Sequence, residues 1–420
     1  MIPIIPIQNF KPVNPHYPVL GTATLSGLTN PPPLSLYIHI PWCVKKCPYC
    51  DFNSHEVRGK TAEEGLPETR YVAALIADLE QSVPRVYGRK IHSVFFGGGT
   101  PSLFSPSAID TILSAVRMLT PLEYDAEVTL EANPSTVESA HFKGYKSAGI
   151  NRISLGIQSF NAEHLRAIGR VHDDQQALKA AELAMTTFDR VNLDLMYGLP
   201  NQTLAQSITD ANRAISFGSD HLSFYHLTLE PNTPFYRTPP SLPDDDLTAD
   251  MQVQIEQLLA INGFEHYETS AFCKPGLFNK NTQSKHNLNY WQFGDYLGIG
   301  AGAHSKLSFH DKITRETRHK HPNAYMQNAL ENSDNNYNAV DKTWVIDQSE
   351  LVFEFMMNAL RLNNGFDSRL FQLRTGLPIH VMASRMDNAI KQGLITPNNL
   401  LIKPTSLGQR YLNNLLELFL

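Results

Sequence analysis

The stretch YIHIPWCVKKCPYCDF, Tyr37 to Phe52, holds three of the chain's four cysteines within eight positions, at the end of a strand-like run. Cys43, Cys47 and Cys50 are spaced C-x3-C-x2-C, and the end of a strand is where barrel-type folds place their chemistry. A structural zinc site takes four protein ligands, commonly as two separated pairs. No second pair exists here, and His39 or His55 would have to complete such a site. A 4Fe-4S cluster is ordinarily held by four thiolates, one on each iron. Three leave one iron open to a small molecule.

Around this stretch the pattern is that of repeated β/α units. Short apolar or β-branched runs at Leu36 to Ile40, Ser93 to Phe96, Glu127 to Glu131, Arg152 to Leu155, Val191 to Met196 and Leu222 to His226 predict six strands. Between them, Val72, Leu75, Ile76 and Leu79, and then Ile109, Ile112, Leu113 and Val116 after Ser105-Pro106, recur with helical spacing. The expected fold is α/β, a parallel sheet with crossover helices, and six strands fall short of a closed eight-stranded barrel.

A Pro-rich and acidic stretch at residues 231–246 reads as a loop before a helix at about Leu247 to Ile261. We expect a Pro-rich arm over residues 1–33, a core domain over 34–270 and a C-terminal domain over 271–420. Leu351 to Leu362 and Leu407 to Leu420 read as amphipathic helices, with a hairpin around Pro397-Asn398-Asn399 between them. That pattern predicts a helical, winged-helix-like unit.

Composition narrows the function classes. Hydrophobic residues at 42% and charged residues at 18% describe an ordinary globular chain, and a formal charge of −6 offers no basic surface to a nucleic acid. The opening residues have neither a basic n-region nor an apolar run long enough for a signal peptide or a span. We therefore expect a cytoplasmic protein with no stable membrane insertion. Four cysteines, three of them clustered, make a poor disulfide framework, which favours metal binding or catalysis in a reducing compartment.

Further candidates sit at the ends of later strands. S-V-F-F-G-G-G-T-P, containing Gly98, Gly99 and Thr100, is a strand running into glycines that would let backbone N–H groups approach an anionic or zwitterionic ligand. Glu131 in L-E-A-N-P could accept hydrogen bonds from a ribose or an amino group. Gln158 in S-L-G-I-Q-S-F follows, then Arg170 in I-G-R, whose guanidinium suits a carboxylate. Asp194 is an acid inside an apolar strand, where it needs a ligand or a buried partner.

The cysteine spacing, with Tyr49 before the third cysteine, resembles the cluster motif of the radical S-adenosylmethionine (SAM) superfamily. From about Leu34 to Gly302 the chain resembles the oxygen-independent coproporphyrinogen III oxidase branch, through the motifs quoted above and L-D-L-M-Y-G-L-P-N-Q-T. The resemblance implies a partial (β/α)6 barrel, and a 4Fe-4S cluster on Cys43, Cys47 and Cys50 with SAM on the open iron. It also implies SAM contacts from Tyr37, Tyr49, Gly98, Gly99, Thr100, Glu131, Gln158, Arg170 and Asp194.

The oxidases carry an additional cysteine two positions after the third cluster ligand, where this chain has Phe52. His286-Asn287-Leu-Asn-Tyr290-Trp291 matches an H-N-x-x-Y-W pattern that the oxidases lack. Both features resemble the relatives called HemW, regarded as haem chaperones. That resemblance implies haem as cargo, delivered to an acceptor such as a respiratory enzyme, and a homodimer favoured by the cluster. An imidazole can ligate haem iron and Tyr290 and Trp291 offer aromatic surface to a porphyrin, which makes His286 the first candidate and His304 the second. The alternative for His286 is a hydrogen-bonding role at the start of the second domain. Radical decarboxylation of porphyrinogen propionates is the alternative function. Cys273 reads as a plain core cysteine.

Overall fold

The computed structural model describes residues 27–28, 30–57, 65–135, 139–276, 282–331, 339–398 and 400–420. Most of the arm expected over residues 1–33, and Asn399 of the expected hairpin, lie outside the described residues.

Six parallel strands carry the fold: β1 (Leu34–Ile40), β2 (Ile91–Gly98), β3 (Leu122–Ala132), β4 (Arg152–Gln158), β5 (Arg190–Tyr197) and β6 (His221–His226). They pair side by side in chain order, which requires a crossover between each pair. The crossovers include α1 (Glu68–Ser82), α2 (Pro106–Leu119), α3 (Phe142–Ala148), α4 (Asp174–Thr187) and α5 (Leu204–Ser216), while α6 (Asp245–Ile261) follows β6. Their starts are written locally. Ser105 accepts from the Ala108 N–H ahead of Pro106, and Asp173 with Gln176 and Thr203 with Gln206 form capping boxes, each cap contributing about 1 kcal/mol.

Parallel strands usually read as unbroken apolar runs, but these alternate. In β1, Leu34, Leu36, Ile38 and Ile40 belong to the main apolar cluster with Val94 and Phe96 of β2 and Ile109 and Leu113 of α2. Ser35, Tyr37 and His39 point to the opposite face, which is rich in polar groups: Ser35 Oγ meets Ser93 Oγ at 2.8 Å, and Asn192 Nδ2 donates to Ser154 Oγ at 2.8 Å. One face therefore packs against helices, and the other lines the concave interior of an open barrel.

The sheet has 12 strands. β8 (Ala271–Cys273) adds antiparallel to β6 and β7 (Glu265–Glu268) antiparallel to β8, while β9 (Asp295–Ile299) adds parallel to β1 and is followed by antiparallel β10 (His304–Ser308), β11 (Ile313–Arg318) and β12 (Val340–Val345). The sheet thus continues past residue 270 as far as Val345. Between β8 and β9, helix α7 (Lys285–Trp291) closes the end of the barrel where the strands begin. The Ser284 hydroxyl and the His286 N–H both donate to Glu127 Oε1 at 3.2 Å, and Asn289 Nδ2 donates to Ser35 Oγ at 2.9 Å.

Beyond α8 (Pro322–Leu330) and β12, a second apolar cluster gathers around α9 (Gln348–Ala359). Phe355 is its centre, with Phe366 and Phe371 edge-on at 5.2 Å each. Phe366–Asp367 pairs with Leu401–Ile402 as a small two-stranded wing beside short helices. The single helix expected over Leu407 to Leu420 is two, Ser406–Arg410 and Leu412–Glu417, because Tyr411 leaves the helical region at φ −110, ψ 46. The break turns Leu415, Leu416 and Phe419 into the second cluster.

Candidate functional site

The strands end around a cavity of about 300 Å³ whose wall includes Cys43, Cys47, Tyr49, Cys50 and Phe52, with Gly98, Gly99, Thr100, Glu131, Gln158, Arg170 and Asp194. Residues scattered over more than 150 positions of sequence thus converge because the C-terminal ends of parallel strands all open on one side.

The cysteine loop is pinned at both ends. Trp42–Cys43 pairs in parallel with His55–Glu56, and the Trp42 ring sits edge-on to Tyr71 at 4.6 Å. Inside the loop the Cys50 N–H donates to the Cys47 carbonyl at 3.1 Å, and Lys46 Nζ donates to the Phe52 carbonyl at 2.9 Å. Burial raises the Cys43 thiol above its ordinary value against hydrogen bonds from Thr100 and Ser54, and pushes Cys50 up to about 11. Arg170 Nη1 points at Cys47 Sγ from 3.7 Å. Among the described residues no three Cys, His, Asp or Glu side chains converge on one ion-sized point. Three separated thiols opening on one cavity match a donor set in which each sulfur takes a different iron.

Glycine is required beside this loop for space. Gly98 has φ +114, and a Cβ there would lie 2.5 Å from the His39 ring; a Cβ on Gly99 would lie 2.5 Å from the Trp42 carbonyl oxygen. The N–H groups of this motif already have acceptors within the chain. Gly98 N–H donates to Glu131 Oε2 at 3.3 Å, Gly99 N–H to the Ile40 carbonyl at 2.8 Å and Thr100 N–H to the Trp42 carbonyl at 2.7 Å. The close approach to the end of β1 spends the Gly99 and Thr100 donors on backbone carbonyls, while the Gly98 donor goes to the Glu131 carboxylate. Gly99→Ala should therefore push the glycine turn off the cysteine loop, costing about 1–3 kcal/mol. Thermal denaturation checks it, and an unchanged midpoint would refute the close packing.

Glu131 ends β3 in the interior. Burial, with Asp194 nearby, raises its carboxyl to about 7. A carboxyl raised in this way contributes stability that is complete below its unfolded value of 4.5 and is lost as pH rises through 7. The shift corresponds to about 3 kcal/mol. Glu131→Gln, neutral at every pH, should consequently gain on the parent protein between pH 5 and pH 8. Melting curves at the two values check this, and a constant difference between the proteins would contradict it.

Asp194 is a partnered acid, accepting from Ser154 Oγ at 2.9 Å and Asn192 Nδ2 at 2.8 Å. Gln158 sits at φ +66, a left-handed conformation uncommon for a side-chain-bearing residue, at a register shift between β4 and β5. Tyr49 lies beside Phe235 at 6.5 Å. Tyr37 does not line the cavity; it lies deeper in the barrel, its OH 3.0 Å from His39 Nδ1 and its ring stacked on Phe95. His286 lies deeper still, at the strand-beginning end, with Nδ1 3.2 Å from Ser93 Oγ and its ring 4.8 Å from Phe95. Burial lowers its pKa to about 3, so it is neutral. His304 opens β10 and is not among the residues of the cavity wall, and Cys273 is buried in β8. The wall also holds residues that motif reading does not single out, among them Asn133, Tyr225, Thr269, Ser270 and Arg361. Asn133 stands within the quoted L-E-A-N-P, but Arg361 carries no local signal.

Comparison with known proteins matches the radical SAM superfamily to residues 37–211 and the HemN C-terminal domain to residues 346–411. The haem chaperone HemW of Escherichia coli is 48% identical over 391 residues, covering 93% of this chain and 98% of that protein. The chain belongs to the HemW family. HemW of Haemophilus influenzae is 47% identical over 395 residues, again covering 93% of this chain and 98% of that protein. The mouse radical S-adenosyl methionine domain-containing protein 1, mitochondrial, is 40% identical over 280 residues, 65% of this chain and 60% of its own length. In three dimensions the coproporphyrinogen III oxidase HemN of Escherichia coli, a radical SAM enzyme, superposes with a TM-score of 0.75 at 23% identity, over 94% of this chain and 92% of that one. That likeness establishes the shared fold. Among the described residues no helix is long and apolar enough to cross a membrane.

Proposed function

We propose that this chain is a cytoplasmic haem carrier that holds haem and delivers it to an acceptor such as a respiratory enzyme, using a 4Fe-4S cluster and SAM. The observation that carries this over porphyrinogen oxidation is Phe52. It lies on the cavity wall where the oxidases have a further cysteine, and among the described residues the wall offers only the thiols of Cys43, Cys47 and Cys50.

Those three thiolates would hold the cluster, each after losing a proton that burial makes harder to remove at Cys43 and Cys50. When bound, a cluster with an open iron supplies electrons to SAM. The chain's own part is placement. Tyr49, Gly98, Gly99 and Thr100 shape the wall beside the cysteine loop, while Glu131, Gln158, Arg170 and Asp194 would meet the polar groups of SAM. Tyr37 would act from below, through His39. A homodimer is part of the same reading.

His286 is proposed as the haem ligand. Its neutrality suits a ligating imidazole, and the hydrogen bond between Nδ1 and Ser93 would fix the ring with Nε2 as the ligating nitrogen. Titration of anaerobically reconstituted protein with haem should give a saturable Soret change near one haem per chain, lost in His286→Ala. Binding that survives the substitution moves the ligand elsewhere, His304 next. Unsaturable uptake, together with turnover of coproporphyrinogen, would replace the carrier by the oxidase.

A further inference from the structure

Buried guanidinium groups in this fold have partners. Arg318 reaches Asp78 and Glu316, Arg315 reaches Glu354, Arg190 reaches Glu127, and Arg170 reaches the Gly156 carbonyl and Cys47. Arg361 does not. Its Nε is buried with no hydrogen-bond partner among the described residues, and it forms no ion pair there. Glu268, whose own Oε2 is buried without a partner, acts on it only through space.

Arg361 stands just after α9, in the C-terminal part of the chain, yet it is part of the cavity wall with Tyr225, Thr269 and Ser270. Its backbone is held there: the Arg361 carbonyl accepts from the Thr269 N–H at 3.1 Å, and Leu362 bridges to Glu268. The guanidinium lies over the Trp291 ring at 4.5 Å, so one residue joins the cavity to the last position of the H-N-x-x-Y-W motif. A cation held in a water-poor wall, with its face stacked and its nitrogens unused, is built for a planar anion. Arg170 already stands beside the cysteine loop, so a second guanidinium provides for a second carboxylate-bearing molecule.

We propose that Arg361 anchors a carboxylate of the cargo, a propionate of the porphyrin, at the wall of this cavity. The proposal rests on the carrier reading. It makes the C-terminal part of the chain a contributor to the ligand site, and it makes the free propionate a determinant of which porphyrin is accepted.

The test compares haem with haem dimethyl ester, in one detergent-containing buffer, on the full-length reconstituted protein, with SAM affinity measured alongside. The parent protein should bind the free acid at least about tenfold more tightly than the ester. Arg361→Met should bring the two affinities together, Arg361→Lys should keep part of the preference, and SAM affinity should not change. Equal binding of acid and ester by the parent protein overturns the anchor without any variant having to fold. A preference that persists in Arg361→Met also overturns it, leaving Arg361 to balance Glu268, and a loss of SAM affinity instead reassigns Arg361 to SAM. Saturable binding of neither compound fails the carrier reading itself, and the anchor with it.

Discussion

Cys47→Ser should leave the anaerobically reconstituted chain nearly without iron, where the parent protein should retain about four irons per chain. Serine keeps the shape of the side chain but is a poor ligand for iron, and two thiolates cannot hold a cluster that already spends one iron on a small molecule. Cys43→Ser and Cys50→Ser should behave alike. Cys273→Ser is the internal control, since that thiol is buried in β8 apart from the cavity, and it should retain full iron. The fold should survive all four changes, because the three loop thiols lie outside the strands' apolar face. Circular dichroism and iron analysis read the two effects separately. Iron retained by Cys47→Ser would remove the three-thiolate assignment, and iron lost from Cys273→Ser would bring in a ligand that the loop does not contain.

The six barrel strands and their helices are legible because their signals are local: a strand end followed by Gly or Cys, a Ser-Pro helix start, apolar residues at helical spacing. The same locality makes Cys43, Glu131 and Asp194 visible, each being a polar group where an apolar strand stops or should continue. Arg361 is invisible for the opposite reason. It enters the cavity only because the turn after α9 docks on the β7–β8 hairpin through Thr269, a contact no short window contains. The extension β9 to β12 is equally hidden. Its strands include Lys306, Arg315, Glu316 and Arg318, which read as exposed charge but are all buried. What the glycine N–H groups donate to is not written in the spacing either, because it depends on how closely β2 approaches the end of β1 and on the Glu131 carboxylate that reaches over from β3.

Arg318→Met should destabilise the chain by about 3–5 kcal/mol, a large part of the stability of an ordinary domain. Arg318 is fully buried on β11. Its Nε donates to both Asp78 oxygens at 3.0 and 3.2 Å, Nη1 to Glu316 Oε2 at 3.1 Å and Nη2 to Ser82 Oγ at 3.0 Å. Asp78 belongs to α1 of the barrel and also accepts from the Tyr325 hydroxyl at 2.9 Å and the Gly300 N–H at 3.2 Å. One carboxylate therefore ties the sheet extension to the helix behind β1, the strand that ends in the cysteine loop. Methionine fills much of the arginine volume but leaves Asp78 with its charge and no cation beyond Arg85, which pairs with Glu316. The desolvation cost of Asp78 is then uncompensated. Asp78→Asn in the same background should recover part of the loss, since an amide has no charge to strand, so the double variant should be more stable than the sum of the two single losses. Urea unfolding of the four proteins measures this coupling. Additive losses would mean that Arg318 acts through packing alone, and a parental midpoint for Arg318→Met would mean that the extension is held to the barrel by its apolar contacts, with the ion network contributing nothing.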